Sequence, residues 1–496
     1  MSEVSGQLSP EGERLLALRL SGLSGARPLP RSGALPGEQF PLSQDQRRLW
    51  FIDQASPGIL AYNVHGAYRL RGELDVDALR SALRYVTVRH QVLRAKVVTC
   101  AGEPYQLVGP PPDDVLSVRD FSGDPDPVAA AREFGRACAD TRIVLAEGPL
   151  FRAWLARLGA ADHVLGFVVH HIAFDRDSLN IWEAEVSAAY AAFLASSAPA
   201  LSPLSAQYDD YALWQQREAD HDRGQRSLDY WRQRLRGVPV AMDLPFDRAR
   251  QKQPSYRAGS VQIRVSADRA SSLRELARRQ RTTMFAIALA SLQGLLFRYN
   301  PAADTVVVGC PANGRLRAEF ETLIGFFTRS LPITASRPDG SDPPFSTMVS
   351  QARDALLAAH TNQEVPFDEI VRLAAPPRDL GHNPLFQVWF DLVTHTQATP
   401  MGPSLPGLVV TKFDTQLTRT RFDLEFHLAD ELPGGLSGRL LFATDLFESS
   451  TVEAFAHHYE SFLSAVAAEP AMRLSEVPIL TADEQHKILD EWGAAR

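Results

Sequence analysis

An uninterrupted apolar run, Val164-Leu165-Gly166-Phe167-Val168-Val169, stands out near the middle of the first half of the chain and predicts a strand buried on both faces. It ends on two histidines, His170 and His171. Beyond them Asp177 or Ser178 can cap a helix, because Leu179, Trp182, Val186, Ala189, Tyr190 and Phe193 recur at helical spacing. Upstream, Leu79, Leu83 and Val86 give 75–89 an amphipathic helical pattern, and the apolar residues at 95–98 predict a strand. The second half repeats this grammar. A helix from Leu273 to Tyr299 feeds the run Thr305-Val306-Val307-Val308-Gly309, a second buried strand. Two lobes of similar α/β composition follow from the repetition.

Helix-start and turn residues divide the remainder. Ser9-Pro10-Glu11 precedes Leu15, Leu16, Leu18 and Leu20, which predicts a short helix. Gly, Pro and Ser dominate 21–37, so this stretch reads as a linker and the folded body begins near Phe40. Proline-rich stretches at 338–344 and at Pro376-Pro377 mark loops, and Thr481-Ala482-Asp483-Glu484 is a capping box that opens a last helix.

Composition narrows the function without naming it. Over 496 residues, 45% hydrophobic and 22% charged residues are ordinary globular values and imply two domains or lobes. A net charge of -8 excludes a general nucleic-acid binder, which needs a broad basic surface. The basic clusters Arg278, Arg279, Arg281 and Arg248, Arg250, Lys252, Arg257 read as solvated faces rather than docking patches. Cys100, Cys138 and Cys310 fit neither a disulfide framework nor a zinc spacing, which points to a reducing cytoplasm. No segment approaches the roughly 20 apolar residues of a membrane span. His457 and His458, adjacent on a predicted helix, cannot share a face, so no metal site is expected there.

His170, His171 and Asp175 sit at the end of a buried strand on the loop entering a helix, a place where side chains are rigidly held yet face a crevice. Alone, the pair is a weak signal. Pro41-Leu42-Ser43-Gln44 through Arg48-Leu49-Trp50, Arg89-His90-Gln91-Val92-Leu93-Arg94, and Tyr208-Asp209-Asp210-Tyr211-Ala212-Leu213-Trp214-Gln215 accompany it. So do Ile324-Gly325-Phe326-Phe327, Val365-Pro366-Phe367 and Asn383-Pro384-Leu385-Phe386-Gln387-Val388. In this order, with the histidine segment, they resemble the seven motifs of the nonribosomal peptide synthetase condensation family, whose central motif is HHxxxDG.

The resemblance implies an α/β (α+β) fold of two chloramphenicol-acetyltransferase-like lobes in a V-shaped pseudo-dimer with an active-site tunnel between them. It divides the chain into an N-terminal helix and linker (1–37), an N-terminal lobe (38–215), a C-terminal lobe (216–480) and the start of a linker toward an adenylation domain (481–496). It implies amide formation between donor and acceptor thioesters presented by upstream and downstream peptidyl carrier proteins. The phosphopantetheine arms come from those carriers, and the chain binds no cofactor of its own. A monomer acting on neither nucleic acid nor membrane is expected. Ester formation, dehydration or cyclisation of the new residue, and non-catalytic recruitment of a partner enzyme remain open alternatives. Gly434-Gly435-Leu436-Ser437 reads as a turn, not a carrier motif.

Within the motif, His171 is expected to align the acceptor amine first and take its proton second. His170 is expected to be packed, and Asp175 to orient the imidazole or to anchor the loop, with Arg89 as its partner under the family pattern. Tyr208, Tyr211 and Trp214 are expected to pack the lobe. Asn383 either faces the tunnel or caps a turn, and Ser178 lies close to the same opening. Two departures add arginines near the expected tunnel. Arg176 stands where the motif has glycine, followed by Asp177 where tryptophan is common, and Arg329 lies in Thr328-Arg329-Ser330 where Val-Asn-Thr is usual. Arg176 either binds an anionic group or turns outward to pair with Asp177 or another acid.

Overall fold

The computed structural model describes residues 29–30, 37–218, 222–239, 242–337, 340–374, 383–396, 402–416, 419–480, 484–487 and 490. The predicted helix after Ser9, most of the 21–37 linker, part of the 338–344 loop, Pro376-Pro377 and most of the 481–484 capping box lie outside them.

The first half builds β1 (Gln39–Pro41), α1 (Gln44–Ala55), β2 (Asn63–Arg71), α2 (Val76–Arg89), β3 (Ala95–Cys100), β4 (Glu103–Val108), β5 (Leu116–Asp120), α3 (Pro127–Ala139), β6 (Phe151–Gly159), β7 (Asp162–His170) and α4 (Arg176–Leu194). Then come α5 (Tyr208–Glu218), α6 (Asp222–Arg234), β8 (Ala258–Val265), α7 (Ala267–Arg279), α8 (Met284–Tyr299), β9 (Thr305–Asn313) and β10 (Thr328–Ser336). The chain finishes with α9 (Phe345–Thr361), α10 (Phe367–Ala374), β11 (Val388–His395), β12 (Val409–Lys412), β13 (Leu424–Glu431), β14 (Leu436–Ala443) and α11 (Ser449–Ala468).

The apolar run at 164–169 forms most of β7, the middle strand of a five-stranded sheet ordered β12-β2-β7-β6-β5. Its burial on both faces follows from that place, with a neighbour on each edge and helices against the sheet. A six-stranded sheet, β10-β9-β11-β13-β14-β8, serves the second lobe, and β1-β4-β3 forms a small third sheet. The predicted helix over 273–299 is two. Arg281 takes a left-handed φ of 51°, and Thr283 caps α8 through the Ala286 N–H.

Two large hydrophobic cores separate the lobes, but the second half contributes to the first. Phe320, Leu323, Ile324, Phe326, Phe327 and Leu405 are buried in the N-terminal core. Strand β12 pairs antiparallel with β2, Val409 opposite Arg71 through Lys412 opposite Tyr68. The lobes are therefore interleaved. Of the expected turn at 434–437, Gly434 and Gly435 join β13 to β14, while Leu436 and Ser437 already belong to β14. Arg248 ion-pairs with Glu448, and Arg250 with Asp423, which accounts for two members of a basic cluster. Among the described residues no helix is long and apolar enough to cross a membrane.

Candidate functional site

The loop that follows β7 is built by hydrogen bonds its own sequence supplies. The His171 N–H donates to the Tyr62 carbonyl (2.8 Å), and Asp175 caps α4 through the Ser178 N–H (2.9 Å), earlier than the predicted Asp177 or Ser178. Gln46, held by the Ser43 capping box of α1, donates to the Ile172 carbonyl (3.0 Å). The loop is thus pinned on three sides before any ligand arrives.

The two histidines have opposite hydrogen-bond polarity. His170 is buried, and its Nδ1 accepts from the Ile172 N–H (3.1 Å), so the ring proton sits on Nε2. Burial, with the neighbouring His171, pulls it down to about 3. His171 keeps part of its surface open. Its Nδ1 lies 2.6 Å from the Phe174 carbonyl, which can only accept, so Nδ1 carries the proton and Nε2 keeps its lone pair. Phe326 packs edge-on against the ring with centroids 4.8 Å apart. Burial and then the Arg421 cation draw His171 down to about 4, against the opposing pull of the Phe174 carbonyl and Asp175. A neutral imidazole with a free Nε2 is the outcome.

Asp175 anchors the loop, and its partner is Arg315 rather than Arg89. The guanidinium binds both carboxylate oxygens (2.8 and 2.9 Å), and Ser178 Oγ (2.6 Å) and the Phe327 N–H (3.0 Å) donate to the same carboxylate. Burial alone would raise this carboxyl. The Arg315 guanidinium and the Ser178 hydrogen bonds hold it below its usual range instead. Arg89 meets α4 about two turns beyond Ser178, where its Nε donates to Glu185 (3.0 Å). The other Glu185 oxygen accepts from His90 Nε2 (2.8 Å), and His90 Nδ1 accepts from the Ile324 N–H (3.3 Å). Both arrangements grip one segment, residues 323–327, which floors the site. Gly325 allows this approach, since a Cβ there would stand 2.0 Å from Tyr208 Cδ2. The Tyr208 hydroxyl donates to the Phe326 carbonyl (2.6 Å), and Tyr211 packs on Phe320 and Phe327, with Trp214 stacked beside it. All three aromatics belong to the lobe, as expected.

Three of the four residues expected near substrate serve the scaffold. Ser178 is buried, and its Oγ, which gives its one proton to Asp175, receives the Gly325 N–H (3.0 Å). Asn383 donates to the Arg421 carbonyl (2.6 Å) and so holds a turn. Arg329 is only 3% exposed and forms an ion pair with Asp45 of α1 (2.9 Å). A buried guanidinium needs such a carboxylate, and the pair ties β10 to the first lobe instead of charging a tunnel. Arg176 alone of the four is exposed. It pairs at 3.3 Å with Asp391 of β11, an acid of the opposite lobe rather than Asp177.

Asp391 belongs to a polar sheet face that sequence reasoning missed. Across the second sheet Asp391 stands opposite His427, His427 opposite Arg439, and Arg439 opposite Gln262. Their strand neighbours Phe390, Phe426 and Leu440 are fully buried in the core behind. Next to this row Glu425 accepts from Thr420 (2.8 Å), the Arg421 N–H (2.6 Å) and His427 (3.0 Å), and pairs with the Arg421 side chain (3.2 Å). The alternation of Asp391, Glu425 and His427 with large apolar residues was a readable signal for this wall. Arg315 lies two residues beyond the end of β9, but nothing in its local sequence links it to Asp175. His458, away from the site, bonds to Tyr299 (2.6 Å) and Glu484 (3.0 Å). No group of metal-binding side chains occurs among the described residues.

A family model described as Condensation domain matches residues 37–489. A polypeptide of the linear gramicidin synthase of Brevibacillus parabrevis is 34% identical over 469 residues, which is 94% of this chain and 9% of that protein. The chain therefore spans less than a tenth of that relative's length. The X-domain from teicoplanin biosynthesis, solved in complex with OxyB, superposes with a TM-score of 0.80 at 31% identity, over 92% of this chain and 100% of that one. The first condensation domain of the calcium-dependent antibiotic synthetase, with a substrate analogue, superposes with a TM-score of 0.74 over 90% of this chain and 99% of that one. At 20% identity it speaks for the fold alone.

Proposed function

Because the chain belongs to the condensation-domain family, we propose that it joins a donor acyl thioester to an acceptor aminoacyl thioester, forming an amide. Both substrates are delivered on phosphopantetheine arms by an upstream and a downstream carrier protein, in a synthetase that also carries an adenylation domain. The single observation that supports catalysis is the open Nε2 of His171, held by the Nδ1 bond to Phe174 at the crevice between the lobes.

The amine nitrogen attacks the thioester carbonyl carbon, the C–N bond forms, and the C–S bond breaks with departure of the donor arm's thiolate. The amine proton passes through Nε2 to that thiolate. A thioester is already activated, and an α-amino group with a pKa of about 8 is partly neutral near pH 7, so alignment contributes more than basicity. The Phe174 carbonyl fixes the ring and Phe326 limits its rotation.

A second reading, docking of a partner enzyme without chemistry, is prompted by the similarity to the X-domain. A docking surface has no use for a histidine whose second nitrogen is left open inside a crevice. The decisive experiment loads donor and acceptor groups on separate carriers and follows both by intact mass. Transfer of the donor mass to the acceptor carrier is expected. Transfer no faster than without the domain would sink the catalytic reading, and a product lighter by one water would reveal added dehydration.

The pH dependence is a further expectation. With its pKa drawn down to about 4, His171 is in its neutral, proton-accepting form throughout the range from about pH 5 to 8. The rate should therefore climb with pH as the acceptor amine deprotonates, without a step at the ordinary imidazole value. A pH–rate profile under single-turnover conditions checks this, and a distinct inflection between about pH 6 and 7 would contradict it.

A further inference from the structure

The Arg176–Asp391 pair is held by charge alone. Among the described residues its 3.3 Å contact is the one ion pair that either side chain makes, and neither side chain makes a hydrogen bond there. Arg176 is 47% exposed and Asp391 14% exposed, so the pair, one member from each lobe, is reachable from solvent. Arg176 directly follows the Asp175 cap of the histidine loop. Neighbouring charges feel the pair, Arg421 the Asp391 carboxylate and Asp177 both members, but each has a nearer partner. Arg421 is committed to Glu425, and Asp177 lies 3.6 Å from Arg315.

A partly exposed ion pair without hydrogen bonds contributes little and separates readily. What it offers an entering group is one set of donors, on the guanidinium, facing one set of acceptors, on the carboxylate. An aliphatic group placed between them would strip water from both without replacing its hydrogen bonds. A carboxylate would meet Asp391, and an ammonium would meet Arg176. A neutral amide satisfies both, its carbonyl accepting from Arg176 and its N–H donating to Asp391.

Resting on the condensation reading, we propose that Arg176 and Asp391 form a clamp for an amide group carried by the tethered acyl chain that reaches His171. The amide belongs either to a carboxamide side chain or to the peptide backbone of a longer donor. The arm's own phosphate is a poor occupant, because it stands a full arm's length from the thioester.

The test is binding to the whole chain, so that it does not depend on turnover. Non-hydrolysable pantetheine amides bearing a glutaramoyl group, its hydrocarbon isostere methylhexanoyl, or an N-acetylglycyl group are titrated calorimetrically. At least one amide probe is expected to bind about tenfold tighter than methylhexanoyl, as two added hydrogen bonds allow. Preference for glutaramoyl assigns the clamp to a side chain, and preference for N-acetylglycyl to a peptide backbone. Arg176→Gly and Asp391→Ala should each erase the preference while leaving methylhexanoyl binding unchanged or tighter. Asp391→Leu, which keeps the size but has no acceptor, serves if the alanine variant unfolds. Equal binding of all three probes, or a preference that survives Arg176→Gly, overturns the clamp. Failure of carrier-to-carrier transfer alongside a preserved binding preference would instead count against the condensation reading.

Discussion

Replacing His171 with alanine is expected to slow carrier-to-carrier amide formation by about 10²–10⁴-fold, the usual range for loss of a positioned proton acceptor. The fold should scarcely notice, because the ring is partly open and makes one side-chain hydrogen bond, to Phe174. Single-turnover rates by intact mass, read beside a thermal melt, separate the two effects. A glutamine at 171 divides the role further, since its amide oxygen can accept a hydrogen bond but cannot take a proton. Substantial activity in His171→Gln would assign most of the effect to alignment. Activity as low as in the alanine variant would assign it to proton transfer. A His171→Ala rate equal to wild type would remove the histidine from the mechanism altogether.

Arg315→Met is expected to be the most destabilising change at the site, by roughly 3–5 kcal/mol, because it strands a buried carboxylate without its cation. Asp175 and Arg315 are 2% and 3% exposed, and the remaining donors to Asp175, from Ser178 and Phe327, are neutral. Pairing the change with Asp175→Leu should recover part of the loss, since the uncompensated charge is then gone. Urea unfolding of the two single variants and the double variant measures this. A double variant that falls by the sum of the two singles would show that the pair is not energetically coupled.

This contrast between Arg315 and Arg89 shows where sequence reasoning reaches and where it stops. The strand leading to His170, the amphipathic helices and the repeated two-lobe grammar all rest on local periodicity, and the structure has them. For Asp175 the residues alone left two roles open, orienting the imidazole or anchoring the loop, and only the family resemblance favoured the anchor. Which arginine holds it was not legible. Arg315 comes from the other half of the chain, and no spacing rule links it to Asp175. The same holds for Arg329, whose burial depends on Asp45, far back along the sequence. Arg176 and Asp391 meet only because two lobes face each other. The broken helix at 280–283 is a different kind of miss, since Thr282-Thr283 stood in the sequence as a local capping signal.

Strand β12 sets the order in which the molecule can be completed during synthesis. The sheet that carries His170 on its middle strand receives β12 at its edge from residues 409–412, and its core also takes in residues 320–327. At a synthesis rate of about 5–20 residues per second, on the order of tens of seconds separate the emergence of β7 from that of β12. Throughout that interval β2 presents a bare edge, the kind of unpaired surface on which nascent chains associate wrongly. The first lobe is the first to be made, yet on the ribosome it can close only when most of the second has also emerged.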